Sequence, residues 1–137
     1  MEHFELKEDI EVFCVKASSF PEGVQQAHDS LHALVSFDPA RKYFGISQMD
    51  KNNSIVYKAA AEELEKGELS KHGLDHFIIR KGNYLGKDIP NFMNHLSEIG
   101  KTFQQLIHRE DIDPDGAAVE WYITQEDCRC MVRLKDK

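Results

Sequence analysis

The sequence predicts an α+β domain, an antiparallel sheet with two helices on one face, and three observations lead there. Segments rich in β-branched and aromatic residues alternate with two stretches of helical apolar spacing. The order strand, helix, strand, strand occurs twice along the chain. The 137 residues, 41% of them hydrophobic and 30% charged, suffice for one shared core.

Ile10 to Ala17 carries Val12, Phe13, Cys14 and Val15 and reads as the first strand. Ser18-Ser19-Phe20-Pro21-Glu22 is a helix-start signal, hydroxyls before a proline and an acid. Val24, Ala27, Leu31, Leu34 and Val35 then recur on one helical face, and Asp38-Pro39 ends it. Lys42 to Gln48 and Ser54 to about Ala60 are strands joined by the polar turn Asp50-Lys51-Asn52-Asn53. Ala59 to Lys66 has helix-forming composition and is read as a strand end or a helical turn.

The second half opens with a strand over Leu74 to Arg80, closed by Lys81-Gly82-Asn83. Asp88 is read as the cap of a long helix. Its stripe is Ile89, Phe92, Met93, Leu96, Ile99, Phe103, Leu106 and Ile107. Asp113-Pro114-Asp115-Gly116 turns the chain into two last strands, Ala117 to Thr124 and Cys128 to Leu134. Phe13-Cys14-Val15 and Phe77-Ile78-Ile79 are taken as equivalent, which gives two pseudo-repeats, about 10–66 and 73–134, in one domain spanning 1–137.

Seventeen Lys and Arg face twenty-four Asp and Glu, a formal net charge of −7. No basic block supplies the cationic face that phosphate backbones require, which argues against direct nucleic-acid binding. No apolar run is long enough to span a membrane, and the acidic N-terminus does not resemble a signal peptide, so a cytoplasmic protein is expected. The three cysteines, Cys14, Cys128 and Cys130, are read as small core residues rather than a disulfide framework. His28 and His32 have the i, i+4 spacing of a zinc-binding pair but lack further ligands; neither metal nor cofactor is implied.

The last hairpin carries the chemistry. Alternation assigns Val119, Trp121 and Ile123, with Cys128, Cys130, Val132 and Leu134, to the helix-covered face. Glu120, Tyr122, Arg129, Met131 and Arg133 then share the other face. Two readings are open there. Glu120 pairs across the strands with Arg129 or Arg133 as ordinary surface, or it anchors a ligand groove.

Val119-Glu120-Trp121-Tyr122, a glutamate two residues before a tyrosine in the penultimate strand, resembles a signature of the gyrase-inhibitor-like small-molecule-binding proteins. That superfamily includes the effector-binding domains of AraC- and MerR-type bacterial transcription regulators. Tyr43-Phe44-Gly45-Ile46-Ser47, Ile55-Val56-Tyr57 and Lys81-Gly82-Asn83-Tyr84 agree in order and spacing, over roughly residues 10 to 134. The resemblance implies a duplicated β-α-β-β module with a ligand groove between its halves. Carried over, Glu120 and Tyr122 sit in that groove, with Tyr57, then Tyr43, as further contacts. Met131 is added as an adaptable wall on the glutamate's face.

The resemblance implies a stand-alone binding protein for aromatic small molecules, cationic ones among them, without the regulators' DNA-binding domain; an Arg129 or Arg133 that reached Glu120 would shift the preference to neutral or zwitterionic compounds. Its alternative is a hydrolase of cyclopropane-containing DNA-alkylating natural products, in which Glu120 and Tyr122 act on a bound substrate. No independent catalytic constellation accompanies them, which ranks the binding reading first.

Overall fold

The computed structural model describes residues 1–136. Its eight strands are β1 (Glu2–Leu6), β2 (Ile10–Lys16), β3 (Tyr43–Met49), β4 (Ile55–Ala61), β5 (Asp75–Ile79), β6 (Gly82–Ile89), β7 (Ala118–Tyr122) and β8 (Cys128–Arg133). Helix α1 (Val24–Leu34) lies between β2 and β3, and α2 (Leu96–Ile107) between β6 and β7. All strands join one antiparallel sheet in the order β1-β6-β8-β7-β3-β4-β2-β5. The α+β class read from the sequence is the class observed, with one more strand in each half.

That order cannot lie flat. β1 and β2 stand six places apart in the sheet, about 29 Å at normal strand spacing. Yet only residues 7–9 join them, a reach of roughly 15 Å. β5 and β6 are also six places apart and joined by Arg80 and Lys81 alone. The sheet must curl until its two edges approach. Phe4 and Leu6 from one edge accordingly pack in the same cluster as Ile10 and Phe77 near the other.

Curling buries the face that carries no helix. Val12, Cys14, Phe44, Ile46, Val119 and Met131 fill the inside of this half-barrel, with Trp121 tilted against Phe44 at 5.4 Å between ring centroids. Both helices cover the outer face. Ala27 and Leu31 of α1 pack on Phe13, Tyr57, Ala59 and Ala61. Ile99, Phe103 and Leu106 of α2 pack on Leu85, Ile89, Cys128, Cys130 and Val132. The alanine run at 59–61 is strand despite its helix propensity, because all three side chains are wholly buried and Ala59 and Ala61 lie under α1.

Three sequence expectations are corrected. The helix does not start at Asp88: residues 82–89 are β6, Phe92–Asn94 form a short 3-10 turn, and α2 begins at Leu96. Pro90 cannot donate to a helical ladder and biases Ile89 toward extended backbone, while Asn91 has φ 50°. The apolar spacing across 89, 92 and 93 thus joins a strand end to a turn, and Met93 is exposed. Second, β1 was not anticipated; it pairs with β6 at the sheet edge. Third, Phe13 and Phe77 are not equivalent, since β2 and β5 are paired neighbours with Val12 opposite Phe77. Exchanging β1–β4 with β5–β8 returns the same strand order read from the other edge, in which β6, not β5, takes the place of β2.

Phe44→Ala should destabilise the fold by ~3–5 kcal/mol in chemical denaturation, as expected of a buried core phenylalanine. Met93→Ala should change stability by less than about 0.5 kcal/mol. The reverse ranking would mean that residues 89–107 form one packed helix.

Candidate functional site

Direct pairing sets which side chains share a face. Glu120 stands opposite Gly45 on β3 and Cys130 on β8, and Tyr122 opposite Cys128. Gly45 in turn stands opposite Ala59, which packs under α1. Glu120 and Tyr122 therefore lie on the helix-covered side, with Tyr122 packed in the clusters of both helices. Val119 and Trp121 face the interior of the curl with Met131. The parity read from the sequence for β7 is thus inverted, because curling buries both faces and alternation alone does not tell them apart.

The centre of the site is a chain of hydrogen bonds. The Tyr122 hydroxyl donates to Glu120 Oε1 at 2.9 Å. The Tyr57 hydroxyl lies 3.0 Å from that of Tyr122, and His28 Nε2 lies 2.7 Å from Tyr57. Four residues from α1, β4 and β7 are thereby joined. His28 stands edge-on to both tyrosine rings, Phe20 stacks on Tyr57 at 6.0 Å, and Phe92 leans on Tyr122 at 5.4 Å.

Gly45 makes this convergence possible. A Cβ there would come within 2.1 Å of the Tyr57 hydroxyl and 2.9 Å of the Tyr122 hydroxyl. The two phenols occupy the space a side chain would fill. Gly45 appeared in the sequence only as part of a motif, and no local signal showed that residues 12 and 77 positions away would lean over it.

Electrostatics follow from burial. Loss of hydration lifts the Glu120 carboxyl from its ordinary 4.5 to about 7, and the single hydrogen bond from Tyr122 offsets this only in part. Burial lowers His28 to about 4, with His32 adding a smaller push, so its ring is neutral near pH 7. Burial and the nearby carboxylate push Tyr57 and Tyr122 upward, so both stay protonated donors.

The expected ion pairs do not form. Arg129 binds Asp88 at 2.7 Å and lies over the Phe4 ring, and Arg133 binds Asp113 and Asp136, each at 2.9 Å. Both arginines face the interior of the curl. Glu120 makes no ion pair among the described residues.

Of the residues singled out from the sequence, the structure brings together Glu120, Tyr122 and Tyr57. Tyr43 shares their face but turns to other partners: its ring stacks on Phe37, lies near His32, and its hydroxyl accepts from the Asp38 N–H. Met131 is fully buried on the opposite face and does not meet Glu120. The sequence spacing of His28 and His32 suggests only a metal pair, yet the two rings part company, one toward Tyr57 and the other toward Tyr43. Two open recesses, about 610 and 820 Å³, lie away from this site along residues 5–11 and the β5–β6 connection.

No family model and no curated protein matches the sequence. Solved structures do match the fold. An integron cassette protein from the mobile metagenome of Vibrio cholerae, VCH_CASS2, superposes with a TM-score of 0.69 at 11% identity, covering 98% of this chain and 95% of its own. A protein named SAV2435, solved bound to tetraphenylphosphonium, gives 0.64 at 10% identity, covering 98% and 93%. A hydrolase from Listeria innocua gives 0.60 at 9% identity, covering 98% and 90%. At such identities the likeness establishes a shared fold over nearly the whole chain.

The Glu120 charge sets a pH dependence. Folded protein holds this proton to about pH 7 but unfolded chain releases it near 4.5, so its contribution to stability is full below 4.5 and lost as pH rises to 7. Glu120→Gln, which keeps the acceptor for Tyr122, should be more stable than wild type by ~1–3 kcal/mol at about pH 8 and equal to it near pH 4.5. Paired urea titrations measure the difference. A variant less stable at the higher pH would show that the carboxylate is well solvated.

Proposed function

We propose that this chain is a small-molecule-binding protein of the gyrase-inhibitor-like kind, whose two halves are pseudo-repeats sharing one ligand groove. The observation that carries the reading is the half-buried Glu120 carboxyl, bonded to Tyr122 and through it to Tyr57, on which Phe92 and Phe20 respectively pack, with no ion-pair partner among the described residues. A half-buried carboxylate so placed is poorly hydrated and has no ion-pair partner among the described residues, and a flat or aromatic cation supplies the missing interaction. Aromatic faces add about 0.5–2 kcal/mol each to such a cation.

The residues proposed to touch ligand are Glu120, Tyr122 and Tyr57, with Phe20 and Phe92 at the margins. Tyr43 and Met131 are left out, the first engaged with Asp38 and Phe37, the second inside the curl. A neighbour of the same fold solved with tetraphenylphosphonium supports a cationic aromatic ligand. The net charge of −7 enriches cations around the protein and acts in the same direction.

A hydrolase is the second reading, favoured by the neighbour from Listeria innocua and by a carboxyl lifted to about 7, where a general base works well. Glu120 would then take a proton from water while Tyr122 donates to the developing negative charge.

Tetraphenylphosphonium should raise the melting temperature of the wild-type protein by several degrees at about pH 8, and Glu120→Gln should abolish most of that rise. Binding should weaken as pH falls below about 7, because the neutral carboxyl no longer attracts the cation. An equal rise in the variant would remove Glu120 as the anchor. Product formed from a strained cyclopropane substrate, and lost in Glu120→Gln, would favour the hydrolase.

A further inference from the structure

The hydrogen-bond chain has a polarity that its atoms determine. Four contacts join four groups: His28 to Tyr57 at 2.7 Å, Tyr57 to Tyr122 at 3.0 Å, Tyr122 to Glu120 at 2.9 Å, and a long one from Tyr122 to His28 Nε2 at 3.5 Å, which adds no proton to the count. Each phenol owns one proton, and a carboxylate owns none. With Glu120 ionised, Tyr122 must spend its proton on the carboxylate, so Tyr57 must supply the contact to Tyr122. The contact between Tyr57 and His28 then needs a proton from the ring, on Nε2. The alternative, Tyr57 donating to a bare Nε2, leaves two phenol oxygens facing each other at 3.0 Å with no proton between them.

Protonating Glu120 removes the constraint. The acid can donate to Tyr122, Tyr122 to Tyr57, and Tyr57 to Nε2, with the ring proton on Nδ1. We propose that His28 is the positioning residue at the outer end of a reversible hydrogen-bond relay, whose direction, and with it the His28 tautomer, reports whether Glu120 is ionised. A cation held against Glu120 keeps the carboxylate ionised and the ring in its Nε2–H form, so ligand occupancy is transmitted about one sheet-to-helix distance, to α1. This last step rests on the binding reading above; the relay itself does not.

Other ionisable groups near the relay do not compete for it. On β8, Cys128 and Cys130 stand opposite Tyr122 and Glu120, and hydrogen bonding with Cys130, together with burial, holds the Cys128 thiol protonated. On α1, His28 has Asp29 and His32 as charged or titratable neighbours, neither bonded to it. β3 offers Gly45 opposite Glu120, and α2 packs nearby with the apolar Ile99 and Phe103.

Long-range proton–nitrogen NMR correlation reads which His28 nitrogen is protonated. At about pH 8.5 the ring should be Nε2–H; as pH falls through about 7, an Nδ1–H population should grow, before the ring itself charges near pH 4. Glu120→Gln should show one unchanging tautomer mixture across that range. Tyr122→Phe, which keeps the aromatic ring but removes the hydroxyl through which both paths from Glu120 to His28 run, should uncouple His28 from pH. Tetraphenylphosphonium added at about pH 6.5 should return the wild-type ring to Nε2–H.

An Nδ1–H ring at the higher pH, or a ratio that does not follow pH in the wild type, overturns the relay. Tetraphenylphosphonium that binds by thermal shift yet leaves the ratio unmoved at about pH 6.5 overturns the transmission while the binding reading stands. A ratio that follows pH with no tetraphenylphosphonium binding supports the relay and refutes the binding reading.

Discussion

Two short connections govern this molecule. Residues 7–9 and the pair Arg80-Lys81 each join strands six places apart, and a sheet can satisfy both only by bending its edges toward each other. The bend creates an interior for Phe44, Trp121 and Met131 without any helix. The opposite face is left to α1 and α2, which sit over separate halves of the sheet. Between the halves runs the β3–β7 seam, where Gly45 faces Glu120.

Along the ladder row through that seam the outer-face side chains are small: Ala59, Gly45 and Cys130 on either side of Glu120. The floor is low there, and Tyr57 and Tyr122 lean across it from neighbouring rows. Their hydroxyls meet over the missing Cβ of Gly45. Packing thus delivers one phenol proton to the carboxylate, and among the described residues no arginine or lysine pairs with it. Burial sets the electrostatic state of Glu120, and the space left at residue 45 admits the one hydrogen bond that offsets it in part.

Much of the fold was legible in the sequence because it rests on local patterns. β-formers at 10–17 and 42–48, the turn at Asp50-Asn53 and the apolar face of α1 all act within a few residues. The glutamate and two of its tyrosines were legible through the order of motifs. What escaped was non-local. Phe4 and Leu6 look like a frayed terminus until β6 is known to lie beside them. The false start of α2 came from weighting apolar spacing above Pro90, whose missing N–H ends the pattern. The inverted parity of β7 has a deeper cause: Val119 and Trp121 are apolar, Cys128 and Cys130 are apolar, and in a curled sheet these two sets occupy opposite faces. Only cross-strand register separates them.

The same inversion explains why Glu120 is without a counter-charge. Arg129 and Arg133 stand one residue out of phase with it, so they point into the curl, where Asp88, Asp113 and Asp136 hold them. A slip of β8 by one residue toward Arg129 would have set that guanidinium opposite the carboxylate and closed the site with an internal ion pair. Register instead leaves a carboxyl near neutrality between its charged and uncharged forms, with Tyr122 able to donate to either. Such a group meets a cation as an anion and a neutral compound as an acid. What the side chain can interact with is then set by how readily Glu120 changes its proton.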